Sequence, residues 1–125
     1  MGRYYSGDIE GKFWFAVQLS NAADRFGADG YGYESGHLKY HFTKDDLPQI
    51  KKELTKIKKT IGSENFKKLQ DFFKKVNGYN DKILTEHGVL EIWNQHKEDY
   101  ADYILGEKIK NYLKDNYDCQ FQAEL

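Results

Sequence analysis

The middle of this chain carries two amphipathic repeats, and they restrict its fold more than any other feature of the sequence. Between Leu47 and Ile61 the apolar residues recur at alternating intervals of three and four, which places them along one side of an α-helix. A second repeat of this kind runs from Phe66 to Val76, and Gly62 separates the two. The spacing predicts a helical hairpin whose apolar sides must pack against another layer of structure.

Short segments on both sides of the hairpin predict that this other layer is a sheet. The predicted strands are residues 4–9, 12–18, 37–42 and 119–125. A tight turn at Glu10 and Gly11 joins the first two, which we predict at the centre of the sheet. A long helix is predicted over residues 89–114. The fold class is therefore α+β: a small, mostly antiparallel sheet of about four strands, comprising the N-terminal hairpin, a third strand and the C-terminal strand, with the αα-hairpin and the long C-terminal helix packed on one face.

The composition fits a single domain over residues 1–125, with 39% hydrophobic and 31% charged residues. Aromatic residues make up 16%, more than a core of this size needs, so we expect some on the surface or in a cleft. Cys119 is the only cysteine, which excludes a disulfide within the chain, and its place in the last strand predicts a buried, inert thiol. No apolar run reaches the length of a membrane span, so we predict a cytoplasmic protein, in the host cytoplasm if it is viral.

Charge is distributed unevenly along the chain. Residues 44–77 carry ten lysines against five acidic residues, whereas residues 78–125 carry five lysines against ten. One interpretation is that two solvated helical faces attract each other in the fold. The other is that the lysines form a patch for nucleic acid or another polyanion. The proposed patch comprises nine of the ten: Lys51, Lys52, Lys56, Lys58, Lys59, Lys67, Lys68, Lys74 and Lys75. The scarcity of arginine argues against base recognition, because arginine forms the usual bidentate contacts.

The opening stretch holds the first candidate for chemistry. Asp8 and Glu10 are two apart on a predicted strand and therefore share a face, where they could bind a divalent cation or act as an acid and base pair. Arg3 and Tyr5 lie on the same strand. The alternative is a solvated hairpin, in which such a pair of acids is common. We predict no metal site and no cofactor, and catalytic residues stay unassigned.

A second candidate follows the aromatic strand. Gln18 and Arg25 offer donors and acceptors near Trp14, which is what a planar ligand such as a nucleobase requires. Residues 19–36 then form a long, glycine-rich connection, which favours a flexible lid or a hairpin loop packed on its own strands. The predicted ligand-binding residues are Arg3, Tyr5, Asp8, Glu10, Trp14, Gln18, Arg25, Tyr31 and Tyr33. The alternative for residues 18–25 is a structured turn without a ligand.

The two ends of the chain resemble a known group. The opening GRYYSGDIEGKFWFAVQ and the closing FQAEL are similar to small uncharacterised proteins of environmental microbes and viruses that share a GRYYxGDIxGKFxFAVQ-like start. The resemblance implies a viral or microbial origin, and it implies no activity or residue role.

These observations lead to three hypotheses. The first is a non-enzymatic domain that binds a small planar ligand or a protein partner; if viral, it would capture a host signalling nucleotide or block a host defence factor. The second is a small acid-base or metal-assisted hydrolase that uses Asp8 and Glu10. The third is a nucleic-acid-binding module on the lysine-rich hairpin, which we rank below a small ligand or protein partner. A membrane partner is not expected, and a homodimer is compatible with all three.

Overall fold

The computed structural model describes residues 3–14, 17–28, 30–32, 36–76 and 78–125. Its strands are β1 (Tyr4–Gly7), β2 (Gly11–Lys12), β3 (His37–Thr43) and β4 (Asp118–Glu124). Its α-helices are α1 (Leu47–Ile61), α2 (Ser63–Lys75), α3 (Asp81–Glu86) and α4 (Leu90–Asp115), and short 3-10 helices span Ala22–Phe26 and Lys44–Asp46. The predicted α+β class, helical hairpin and long C-terminal helix are confirmed.

The four strands form one antiparallel sheet in the order β2-β1-β4-β3. The C-terminal strand lies between β1 and β3, pairing Ala123 with both Tyr5 and Leu38. The last strand therefore pairs directly with β1 of the N-terminal hairpin. The centre of the sheet differs from the prediction, because β2 lies at an edge and β4 occupies the interior.

One face of the sheet forms the core and the other faces solvent. Along β3, Leu38, Tyr40 and Phe42 are buried, while the residues between them are more exposed. The same alternation along β4 buries Cys119 and Phe121. The apolar stripes of α1, α2 and α4 belong to the same buried cluster, so the helices cover a single face of the sheet.

The predicted strand over residues 12–18 is the main error. Pairing ends at Lys12, and the amides of Val17 and Gln18 both donate to the Trp14 carbonyl at 3.0 Å, which closes a turn. The Gln18 side chain reinforces the turn by accepting from the Trp14 amide at 3.1 Å. Residues 15 and 16 of the predicted strand lie outside the described residues. In the described part of this stretch, the turn and its hydrogen bonds replace the ladder of a strand.

The other boundaries differ by small amounts with local causes. The first strand ends at Gly7, where φ is 141° and a Cβ atom would lie 2.6 Å from the Gln120 carbonyl oxygen. Ser20 does not cap the following helical turn; its hydroxyl donates to the Glu124 carbonyl instead. Asn80 does cap α3, accepting from the Ile83 amide at 2.9 Å. None of the helices in the described ranges is long and apolar enough to cross a membrane.

A buried thiol and a buried tyrosine hydroxyl make this fold less stable at alkaline pH. Burial raises the pKa of the Cys119 thiol from 9.0 to about 12, with smaller contributions from Asp8 and Asp118, and burial raises the pKa of Tyr100 from 10.0 to about 12. The unfolded chain therefore loses these protons first. We expect the free energy of unfolding to fall as pH rises from 9 toward 12, by about 1.4 kcal/mol per pH unit for each group once its unfolded form ionises.

Urea unfolding at a series of pH values measures this effect. A Cys119→Ala variant provides the control, because it should remove the decline that begins at pH 9 and leave the one that begins near the ordinary tyrosine value of 10.0. A free energy of unfolding that stays constant or increases across this range would contradict the assignment.

Candidate functional site

The structure joins four of the predicted site residues in one polar network. Arg3 donates to the Gln18 carbonyl and, at 2.8 Å, to the Ser20 hydroxyl. Gln18 is buried, and its side chain makes two hydrogen bonds. Its oxygen accepts from the Trp14 backbone amide, and its nitrogen donates to the Asp102 carboxylate of α4 at 3.0 Å. Asp102 also accepts from Arg25 at 2.9 Å. The network thus ties the segment after β2 to the long helix.

Arg25 is the centre of this network because its guanidinium contacts three carboxylates. It donates to Glu53 of α1 at 2.9 Å, and to Asp99 and Asp102 of α4 at 2.8 and 2.9 Å. Burial alone would lower the pKa of Arg25, but these hydrogen bonds outweigh it and raise the pKa above its ordinary value. Burial raises the pKa of Asp102, and the hydrogen bonds from Gln18 and Arg25 offset only part of that increase. The arrangement holds α1, α4 and the 3-10 helix that carries Arg25 together.

Trp14 lies within a cluster of aromatic side chains. Its ring centroid is 5.0 Å from that of Trp93 and 5.2 Å from that of Phe73, with Tyr79 and Tyr100 at 6.0 and 6.2 Å. The Trp14 side chain is partly buried against the hydrophobic core. Its neighbours are therefore protein rings. Packing of the segment after β2 against α2 and α4 explains why an aromatic residue stands at position 14, and no ligand is needed.

Asp8 and Glu10 have different surroundings. The Asp8 carboxylate accepts from the Gln120 amide at 2.8 Å, while the Asp8 amide donates back to the Gln120 carbonyl at 2.8 Å. Glu10 is exposed, and its backbone carbonyl accepts from Lys108 at 3.1 Å. Lys108 also donates to the Tyr5 hydroxyl at 3.0 Å. The described residues contain no group of three histidine, cysteine or acidic side chains placed to hold a metal ion.

Tyr31 lies on the other side of the sheet from the aromatic cluster. It forms an isolated backbone bridge with Lys39 and lines a shallow cavity of about 240 Å³ that also borders Ser6 and Gln120, on the polar face. Tyr33 lies outside the described residues. The structure therefore brings Arg3, Trp14, Gln18 and Arg25 together by hydrogen bonds, and it places Tyr5, Asp8, Glu10 and Tyr31 in other local environments.

Two grooves run along the lysine-rich helices. The larger has a volume of about 750 Å³ and lies on α1 and α2; the smaller, of about 390 Å³, lies between α1 and α4. Thr55 and Lys58 line both grooves, so the two are neighbours across one turn of α1. We call this surface the lysine face; the cations lining it are Lys51, Lys58, Lys59, Lys67, Lys74, Lys110 and Lys114.

The lysine face carries an excess of positive charge. Its grooves are lined by seven lysines but only two acidic residues, Asp71 and Glu107. Among the described residues, Lys110 is the one member of the seven that forms an ion pair, with Glu107 at 3.2 Å. No ion pair in the described part of the chain joins a lysine of residues 44–77 to an acidic residue of 78–125. The basic and acidic halves therefore do not neutralise each other by close pairing.

Lys58 lies between the two grooves and above two aromatic rings. Its ammonium nitrogen lies 5.3 Å from the ring centroid of Phe66 and 5.6 Å from that of Tyr103, a geometry that favours cation–π attraction. Both rings are 5% exposed. The Tyr103 hydroxyl donates to Glu107 at 2.6 Å, which fixes the wall of the smaller groove. Lys58 therefore forms a cationic ridge between the grooves and covers the aromatic surface beneath it.

Sequence reasoning found part of this surface and missed part. Five of the nine lysines singled out from the sequence line the two grooves. Lys110 and Lys114 of α4 were missed, although their spacing of four on a predicted helix places them on one side. The missing information was which side of α4 meets α1, because that depends on helix packing.

Comparison with protein-family models, with curated proteins and with solved structures found no match for this chain. The resemblance of its two ends to small microbial and viral proteins stays a prediction.

Proposed function

We propose that this chain is a non-enzymatic binding domain that holds a polyanionic ligand on its lysine face. The observation that carries the proposal is the set of seven lysines around two adjoining grooves. Six of them are exposed and have no ion-pair partner among the described residues. Positive charge concentrated along grooves attracts anions and accelerates their association. Lysine ammonium groups act as point charges, which suits phosphate or sulfate groups arranged along a polymer.

The contacts around the predicted acids support a binding role over hydrolysis. The Asp8 carboxylate accepts a backbone hydrogen bond from β4, which gives it a structural function at the end of β1. Glu10 is exposed and meets Lys108 through its backbone rather than its carboxylate. Acid-base catalysis needs a positioned pair with displaced pKa values. The surroundings of these two residues offer little support for such a pair.

A small planar ligand near Trp14 receives less support than a polyanion. Four protein rings surround the Trp14 indole within 6.2 Å, so stacking a ligand there would require displacing one of them. The candidate polar partners Gln18 and Arg25 are occupied by Asp102 and its neighbours. Capture of a signalling nucleotide, recognition of a protein partner and homodimerisation stay predictions.

Removing three charges from the lysine face should weaken polyanion binding by about threefold to 150-fold, because each lost contact is worth about 0.2–1 kcal/mol. The variant is Lys58→Gln, Lys67→Gln and Lys114→Gln. Fluorescence anisotropy with labelled heparin at low salt measures the affinity, and circular dichroism checks the fold. Heparin is used because it is a polyanion without bases.

The matched control is Lys12→Gln, Lys44→Gln and Lys82→Gln, which removes the same charge from exposed lysines that line neither groove. We expect the control to bind within about twofold of the unmodified protein. Equal losses in both variants would mean that net charge, not the lysine face, determines binding. No binding at low salt to heparin or to any other polyanion would overturn the proposed function.

A further inference from the structure

We infer that the polyanion held on the lysine face is the phosphate backbone of a single-stranded nucleic acid, bound without preference for base sequence. This inference rests on the proposed function and adds the chemical class of the ligand. Three features of the two grooves support it: the spread of the lysines along the helices, the burial of the aromatic rings beneath Lys58, and the concave shape of the grooves.

The lysines are spread along the helices rather than focused on one point. Lys51 and Lys58 are seven residues apart on α1, which corresponds to about 10 Å along the helix axis. Lys67 and Lys74 are separated by the same interval on α2. A nucleoside triphosphate or another compact anion needs convergent donors around a few adjacent oxygens. Cations spaced along three helices instead match a chain with repeated charges.

The aromatic residues of the grooves are closed to bases. Phe66 and Tyr103 are the aromatic residues that line the two grooves among the described positions, and both are buried. Lys58 lies over both rings. Proteins that read or hold bases expose aromatic faces for stacking or use arginine for bidentate contacts. Neither feature lines these grooves, so the contacts available to a nucleic acid are those to its phosphates.

The concave shape favours a single strand over a duplex. Neighbouring helices pack with axes about 8–10 Å apart, so a groove between them is narrow and accepts one extended chain more easily than a duplex. A flexible strand can enter the groove on α1 and α2, cross the ridge at Lys58 and continue between α1 and α4. A duplex is stiff over about 150 base pairs and cannot bend into both grooves, so it would reach fewer of the lysines.

The test measures the affinity of the full chain for labelled oligonucleotides of equal length: a thymine homopolymer, an adenine homopolymer, an abasic strand with the same phosphates, and a duplex. We expect the three single strands to bind within about threefold of one another, and the duplex to bind more weakly. With about four phosphate contacts, affinity should fall roughly fiftyfold between about 50 and 200 mM salt. The Lys58, Lys67 and Lys114 triple variant should reduce this salt dependence, and the Lys12, Lys44 and Lys82 control should retain it.

Five other outcomes would overturn the inference of a single-stranded nucleic acid. Binding to heparin without binding to any oligonucleotide would overturn this inference and leave the proposed function standing. Much weaker binding of the abasic strand would show that bases carry the affinity, and tighter binding of the duplex would show that the grooves are not strand-specific. Binding to an acidic protein but to no nucleic acid would also overturn it. Failure of every polyanion, heparin included, would remove both proposals.

Discussion

Replacing Arg25 by methionine should lower the free energy of unfolding by about 3 kcal/mol, near the lower end of the range for breaking a buried ion pair. Methionine keeps much of the side-chain length but leaves three carboxylates facing one another without a cation. Asp102 is the most costly of them, because its side chain is 7% exposed and its pKa is already raised by burial. Chemical denaturation near neutral pH measures the loss.

Two further variants separate the charge of Arg25 from its geometry. Arg25→Lys keeps one positive charge but cannot reach three carboxylates in a fork, so we expect a loss of about 1–2 kcal/mol. The double variant Arg25→Met with Asp102→Asn lacks the buried Asp102 charge as well as the arginine. Its loss in free energy of unfolding should therefore be smaller than the sum of the losses for Arg25→Met and Asp102→Asn alone. If Arg25→Met stays within about 0.5 kcal/mol of the unmodified protein, the network does not stabilise the fold.

Replacing Gly106 by alanine should destabilise the protein by about 1–3 kcal/mol, although alanine is favoured over glycine inside a helix by about 1 kcal/mol. The residue lies within α4, where it is buried. A Cβ atom there would overlap the ring of Phe26 and lie 2.8 Å from a methyl carbon of Leu54. Phe26 is fully buried and Leu54 is 4% exposed, so neither side chain has free space to move into.

The steric explanation for Gly106 can be tested by making room for the added methyl group. We expect Gly106→Ala to cost less in a Phe26→Leu background than in the unmodified protein, because leucine lacks the ring atoms that the new Cβ would overlap. Thermal and urea unfolding of the four proteins completes the cycle. A stabilising effect of Gly106→Ala alone would mean that helix propensity, and not the close approach, dominates at this position.

The helices and two of the strands follow from local patterns. The apolar stripe that includes Ile50, Leu54 and Ile57 determines α1. The helix ends at Gly62, because glycine readily adopts the positive φ that this position requires. The alternation along β3 and β4 predicted correctly which side chains face the core. These elements were predictable because the periodicity of burial matches the geometry of the element itself.

The segment around Trp14 and Gln18 was not predictable in the same way. Its apolar alternation resembles a strand, but the amides of Val17 and Gln18 donate to the Trp14 carbonyl. The Gln18 carbonyl accepts from Arg3, and the Gln18 side chain donates to Asp102. Those partners are distant in sequence, and no local pattern encodes them. The same limit applies to the candidate site. All four residues of the network, Arg3, Trp14, Gln18 and Arg25, were predicted as ligand contacts, and their visible partners are protein groups.

The sequence by itself determined the α+β class, the helical hairpin and the excess of lysine along it, because these depend on residue type and spacing. Only the tertiary structure decided three other points: that β4 lies inside the sheet, that Arg25 joins three carboxylates, and that seven lysines line two adjoining grooves, with an ion pair in the described residues at Lys110 alone. The physical reason is that charge compensation and burial depend on distances between elements. Those distances are set when α1, α2 and α4 pack on the sheet, and they leave the lysine face open to an anion.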